Sequence, residues 1–285
     1  MVHLMLGVLG VITLLFGYFY VRDFPFKEAV KEKKILSRGF GIGLVTNFFD
    51  TLGIGSFAPT TSILKLTGQT PDRLIPGTLN VAHTIPIVFQ AFVFISIVEV
   101  DIVTLTSLVA ASVLGAYIGS GVISKVNEFA IRMVMGFALA IAAVIMLFSQ
   151  LKMMPGGGDA IGLTGMKLAF GIVGNFILGA LMTASIGLYA PCMAMVFMLG
   201  MSPKVAFPIM MGSCAFLMPL AGYRFIKEKA YDRKISLPIS IGGIIGVYIA
   251  AFIVHSLPLD TLRWVVIAVI SYTAVIMATS KSTAK

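Results

Sequence analysis

Apolar runs of about twenty residues recur along the chain, and the charged residues collect in the short stretches between them. A helix crosses the ~30 Å hydrocarbon core of a bilayer with about 20 such residues. On that scale the runs predict helices near 2–21, 74–97, 102–122, 129–150, 205–223, 235–255 and 260–279. Two further regions, 39–67 and 166–200, are apolar at both ends but broken midway by glycine and polar residues. The first run, HLMLGVLGVITLLFGYFYV, has no basic stretch before it and no small-residue cleavage site, so it reads as a retained helix and not a signal peptide.

The pattern also repeats. FAPTTSILKLTGQTP (57–71) aligns without gaps to YAPCMAMVFMLGMSP (189–203), sharing aromatic-Ala-Pro and Gly-x-[Thr/Ser]-Pro. Further on, GAYI (115–118) matches GVYI (246–249), and at the same offset Arg132 matches Arg263. Matches in one order predict a duplicated chain. The organisation expected is a helix and basic loop over 1–38, a first repeat over 39–150, a linker over 151–165 and a second repeat over 166–280. Each repeat holds one interrupted helix and three transmembrane helices.

Composition settles the class. Of the 285 residues 58% are hydrophobic and 12% charged, where a soluble domain carries about 25% charged. The fold class expected is therefore an all-α polytopic membrane protein. The formal charge of +9 does not point to nucleic acid, because the basic residues lie in short loops, the pattern that faces an anionic cytoplasmic leaflet. Segments 22–38 and 224–234 hold six and five Lys or Arg and should be cytoplasmic, whereas VEVD (98–101), the counterpart of the second, is acidic. Equivalent loops on opposite sides imply inverted repeats, with each interrupted element a re-entrant hairpin. Then Lys152, Lys167, Lys204 and Arg263 are external and the other seventeen internal. If the interrupted elements span fully, fifteen remain inside, which also obeys the positive-inside rule. Cys192 and Cys214 lie in apolar runs and define no disulfide framework.

The breaks are where chemistry is expected. Non-helical backbone at membrane depth is tolerated only where protein buries it or water reaches it, and in secondary transporters such breaks aim half-helix ends at a midplane site. In DTLGIGSFAPTTS (50–62) the glycines supply the break and Pro59 suits the first turn of the half-helix after it. Gly55, Ser56, Thr60 and Thr61 then stand where unpaired N–H groups and the helix dipole favour an anion. TASIGLYAPCMA (183–194) repeats this, with its break placed near Gly187 and its restart at Pro191. Asn80 and His83 in the first half, with Cys192, Ser213 and Cys214 in the second, are neutral donors assigned to the same pocket; for the cysteines, packing as small hydrophobes is the plainer alternative. Asp50, an intramembrane carboxylate, is a candidate proton carrier. Asn47 and Asn175 are read as ties for the broken backbone, and Arg132 and Arg263 as anchors at the headgroups.

The paired segments GIGSFAPTTSILKLTGQTPDRLIPGTLN and SIGLYAPCMAMVFMLGMSPKVAFPIMMGS resemble the sulfite exporter TauE/SafE family of membrane transporters, over about residues 39–280. The resemblance implies transport, by export, of small sulfur-containing anions such as sulfite or organosulfonates. A passive channel, or a permease for another small anion such as thiosulfate or a carboxylate, would use the same pocket. No metalloprotease, P-loop or nucleophile motif is present in the sequence, so neither enzyme activity, a cofactor nor a metal is expected.

Overall fold

A computed structural model of the chain describes residues 2–29, 31–153 and 158–253, with positions 264, 267, 268, 271, 272, 274 and 275. Its helices are α1 (Val2–Asp23), α2 (Phe26–Ala29), α3 (Lys33–Thr51), α4 (Phe57–Thr67), α5 (Ile75–Ala82), α6 (Thr84–Ile97), α7 (Ile102–Ile123), α8 (Glu128–Gln150), α9 (Gly165–Met182), α10 (Tyr189–Met198), α11 (Pro203–Lys227) and α12 (Arg233–Tyr248), the last running into a π turn at Ile249–Ile253. Among the described residues the protein is helical, without strands, and seven stretches are long and apolar enough to cross a membrane. The helix expected at 260–279 lies outside the continuously described residues.

The distribution of side chains suits lipid. Leu4, Leu14, Phe137, Phe170 and Val173 point outward, while Asn47, Asp50, Thr60, His83, Gln90 and Asn175 are buried. In water this would be an inverted protein; in hydrocarbon it gathers every expensive group inside. α11 forms the centre, with 89% of its apolar window buried against 17% for α1 at the periphery.

One difference from the sequence reading is that the helix expected at 74–97 is kinked at His83. Pro86 is the cause: it has no N–H for the carbonyl four residues back, that of Ala82, and its ring crowds it. The freed carbonyl accepts from Ser240 Oγ on α12 at 2.6 Å, and Tyr20 on α1 reaches the same hydroxyl at 3.1 Å.

The two halves pack by exchanging their first helices. α3 lies along α12, and α9 along α7. Gly115 on α7 sits against the carbonyl of Phe176 and the N–H of Ala180, the latter 3.0 Å from where a Cβ would stand. Gly246, its partner in the alignment, sits against the carbonyl of Leu44 and the N–H of Phe48, again at 3.0 Å. Leu44 and Phe48 precede Phe176 and Ala180 by the offset that aligns Phe57 with Tyr189, so the contacts are reciprocal.

The ends of the broken helices are equally telling. Glu32, just before α3, accepts from Lys234 Nζ at 2.6 Å, and Thr70, just after α4, donates to Asp232 at 2.9 Å. Both ends of that pair thus meet the turn before α12. For α9–α10 the ends meet one another, Ser202 N–H donating to Ala160 O at 2.8 Å beside Asp101, whose N–H donates to Ile161 O at 2.9 Å. Asp101 caps the start of α7, and the last turns of α7 lie against Arg224, which donates to Tyr117 O at 2.9 Å. The two pairs therefore open at opposite ends of α7.

A side chain at Gly115 or Gly246 would overlap backbone. Gly115→Val should lower the unfolding free energy by about 1–3 kcal/mol or more, the usual cost of overpacking, while Gly7→Ala, which meets nothing within 4 Å, should leave it unchanged. Thermal unfolding in detergent checks both.

Candidate functional site

Each broken helix stops in the same way. α3 ends with Gly53 N–H donating to Asp50 O at 2.9 Å and Ile54 N–H reaching back to Phe49 O at 3.1 Å. α9 ends with Ser185 N–H donating to Met182 O at 3.0 Å and Ile186 N–H to Leu181 O at 3.4 Å. These are helix-capping turns, which need a left-handed residue. Gly53 supplies it at φ 85°, and Ser185 supplies it at φ 74°. The sequence placed the second break near Gly187; the residue that bends the chain is Ser185, two positions earlier. A left-handed serine is uncommon, so composition did not mark it.

After five and six extended or turn residues respectively, the chain re-enters helix at Phe57 and at Tyr189. Pro59 and Pro191 occupy the third position of each half-helix, within the first turn as expected. Helix geometry leaves the leading N–H groups without intrahelical partners, and here those belong to Phe57, Ala58, Tyr189 and Ala190. The first intrahelical bonds are Thr60 N–H to Ser56 O at 3.0 Å and Cys192 N–H to Leu188 O at 2.9 Å.

Both sets border one cavity. Its wall includes Ile54, Gly55, Ser56, Phe57 and Ala58 from the first break, and Ile186, Gly187, Leu188, Tyr189 and Ala190 from the second, the same five aligned positions. Ile87 of α6 and Ile141, Ala142 and Met146 of α8 complete it. The volume is about 40 Å³, on a scale where one water needs about 10–15 Å³. It therefore holds a few heavy atoms. Among the described residues no Lys or Arg lies in this wall and Asp50 is its one carboxylate; Met182 stands at the aligned position in the second half.

Asp50 is held by a chain of hydrogen bonds that crosses between the halves. Gln90 Nε2 donates to Asp50 Oδ2 at 2.7 Å, and Tyr189 Oη donates to Gln90 Oε1 at 3.0 Å. Ser56 also lies beside the carboxylate, its buried hydroxyl without a hydrogen-bond partner. Gln90 and Tyr189 were not among the residues assigned to the site from sequence. The aromatic of the aromatic-Ala-Pro motif was the available signal for Tyr189; Gln90 stands out in sequence as a polar residue of an apolar helix, with Thr78, Asn80 and His83, but nothing local tied it to Asp50.

The remaining assigned residues lie behind the wall. His83 bridges Asn47 Oδ1 at 3.0 Å and Thr60 Oγ1 at 3.1 Å. Asn80 gives its amide N–H to Pro76 O at 2.8 Å. Ser213 accepts from Asn175 Nδ2 at 2.8 Å, and the same amide donates to Leu108 O at 2.7 Å, so Asn175 ties α9 to α7 and α11. Cys192 is fully buried, and Cys214 packs with its sulfur 3.6 Å from that of Met182. Thr61 is buried as well, its hydroxyl without a partner. Of the assigned set, Asp50, Gly55, Ser56 and Gly187 border the cavity. The Arg132 side chain and Arg263 lie outside the described residues. Among the described residues no cluster of metal-ligating side chains occurs.

Residues 167–285 match the family model described as Sulfite exporter TauE/SafE. The resemblance drawn from the paired motifs is borne out over that span, which begins in the first turn of α9 and takes in the second break. No curated protein and no solved structure matches the chain.

The Gln90 bridge has a measurable cost of removal. Gln90→Leu strips a buried carboxylate and a buried phenol of their shared partner, and should destabilise the protein by about 1–3 kcal/mol. Thermal unfolding in detergent reads it, and a Tm equal to the parent's would mean that the bridge contributes nothing.

Proposed function

We propose that the chain, whose second half matches the sulfite exporter family, is a secondary transporter that exports small sulfur-containing anions such as sulfite or organosulfonates across the cytoplasmic membrane. The observation that carries this reading is the cavity shared by two half-helix N-termini at aligned positions. The family match supports the substrate class; the geometry supports an anion of few atoms.

The chemistry follows from the wall. An oxyanion entering hydrocarbon depth must replace its hydration shell. Phe57, Ala58, Tyr189 and Ala190 offer N–H groups already oriented and unpaired, at the positive ends of two helix dipoles. No lysine or arginine is needed, and a site without a full positive charge releases its guest more readily. Asp50 in the same wall repels the anion when ionised and can donate a hydrogen bond to it when protonated. Anion and proton would then be carried together, with Asp50 as the coupling residue.

Several contacts favour inverted repeats over 39–150 and 166–280. Both ends of α3–α4 lie by the turn before α12, and both ends of α9–α10 lie by Asp101 at the other end of α7. In this reading each pair is a re-entrant hairpin, and the pairs enter from opposite faces. The face bearing the loops 22–38 and 224–234 is cytoplasmic by the positive-inside rule.

Purified protein should be stabilised against heat by sulfite, and the series sulfite, thiosulfate, sulfoacetate and taurine should rank by charge and size. A Tm unmoved by any of the four would sink the anion site. In Gly55→Val the side chain would enter the cavity wall from a residue at φ 91°, and anion affinity should fall roughly tenfold or more, equivalent to about 1.4 kcal/mol. Asp50→Asn proteoliposomes should accumulate sulfite without the pH dependence of the parent; a retained pH dependence would remove Asp50 from the coupling role.

A further inference from the structure

We propose that His83 is the bolt that shuts the cavity off from the face bearing the basic loops, and that the conformation described here opens instead toward the opposite face, through a passage between α8 and the first turns of α10. The inference rests on reading the cavity as the anion site.

The shut side is built from both limbs of the first broken helix. α3 runs inward from the basic face, so Asn47 lies one turn closer to that face than Asp50. α4 runs back toward the same face, so Thr60 lies one turn beyond the wall residues Phe57 and Ala58. His83, at the kink between α5 and α6, fills the space between them and touches each limb. The hydrogen bonding orients the ring. Asn47 gives its Nδ2 to Gly43 O at 2.9 Å, which leaves Oδ1 to accept from His83 Nδ1. His83 Nε2 meets the Thr60 hydroxyl, which can donate to it, so a neutral imidazole with its proton on Nδ1 satisfies both contacts. The ring of Phe57 covers it, with centroids 5.9 Å apart. Asn47, Thr60, Thr61, Ser62 and His83 are at most 0% exposed.

The open side is a second cavity of about 80 Å³ that shares Ile54, Met146 and Ala190 with the first. It continues past Gly53 to Ser149, in the last turn of α8, and to Met193, one turn along α10. α10 ends beside Gly158, which donates to Met201 O at 3.0 Å, on the face that carries Asp101. The passage therefore heads away from the basic loops, and Met146, common to both cavities, stands where they join. For an anion to leave on the basic side, the two bonds of His83 must part and the limbs of α3–α4 must separate.

Single-cysteine reporters in the full-length protein test this, with the parent as background because Cys192 and Cys214 are buried. A charged, membrane-impermeant thiol reagent is applied to one face at a time, without any anion substrate. Met193→Cys should react from the face opposite the basic loops and not from the basic face. Thr61→Cys should react from neither. Adding His83→Ala to Thr61→Cys should raise its labelling from the basic face roughly tenfold, the scale set by losing two neutral hydrogen bonds, and His83→Gln, which can bridge both partners again, should restore protection. Reaction of Thr61→Cys from the basic face with His83 intact would overturn the bolt. Reaction of Met193→Cys only with a lipid-soluble maleimide would show the gap to face hydrocarbon and would overturn the passage. Labelling needs no substrate, so failure of sulfite to stabilise the protein would defeat the substrate reading and leave this one standing.

Discussion

The structure is governed by the cost of leaving a backbone N–H or carbonyl unpaired in hydrocarbon. That cost explains why most of the chain is continuous helix and why each departure comes with a compensating partner. Where Pro86 removes a helical bond, Ser240 takes up the stranded carbonyl. Where α3 and α9 end inside the protein, capping turns absorb their last carbonyls. The leading residues of α4 and α10, whose N–H groups have no helical partner, line a shared cavity. Free donors in lipid are expensive, so their persistence at two aligned positions argues for a guest.

Much of this was legible from residue order. Apolar runs located the helices, and the gapless match of 57–71 with 189–203 located both restarts. Local chemistry could do so because a glycine-rich interruption and a proline in a first turn are short-range signals. The bend at Ser185 was not legible, since serine adopts that conformation only when its surroundings impose it. The kink at His83 was available in principle from Pro86, but the apolar run continued through it and read as one span.

The cavity wall was legible only in part. Residues in the breaks reach it because they are the break. Thr60, Asn80 and His83 share the polar character expected of a site, yet each finds a partner within the protein and turns away from the cavity. Composition cannot tell a polar group that binds a guest from one that binds its neighbour. Gln90 is the reverse case: it joins Asp50, 40 positions before it, to Tyr189, 99 positions after it, a link that only folding makes.

Asp50 and Met182 stand at aligned positions, and both line the cavity. One contributes a carboxylate that accepts from Gln90, the other a thioether packed beside the Cys214 thiol. The two contributions match in position and differ in polarity, so the chamber has a sidedness that the matching of its other lining residues does not give.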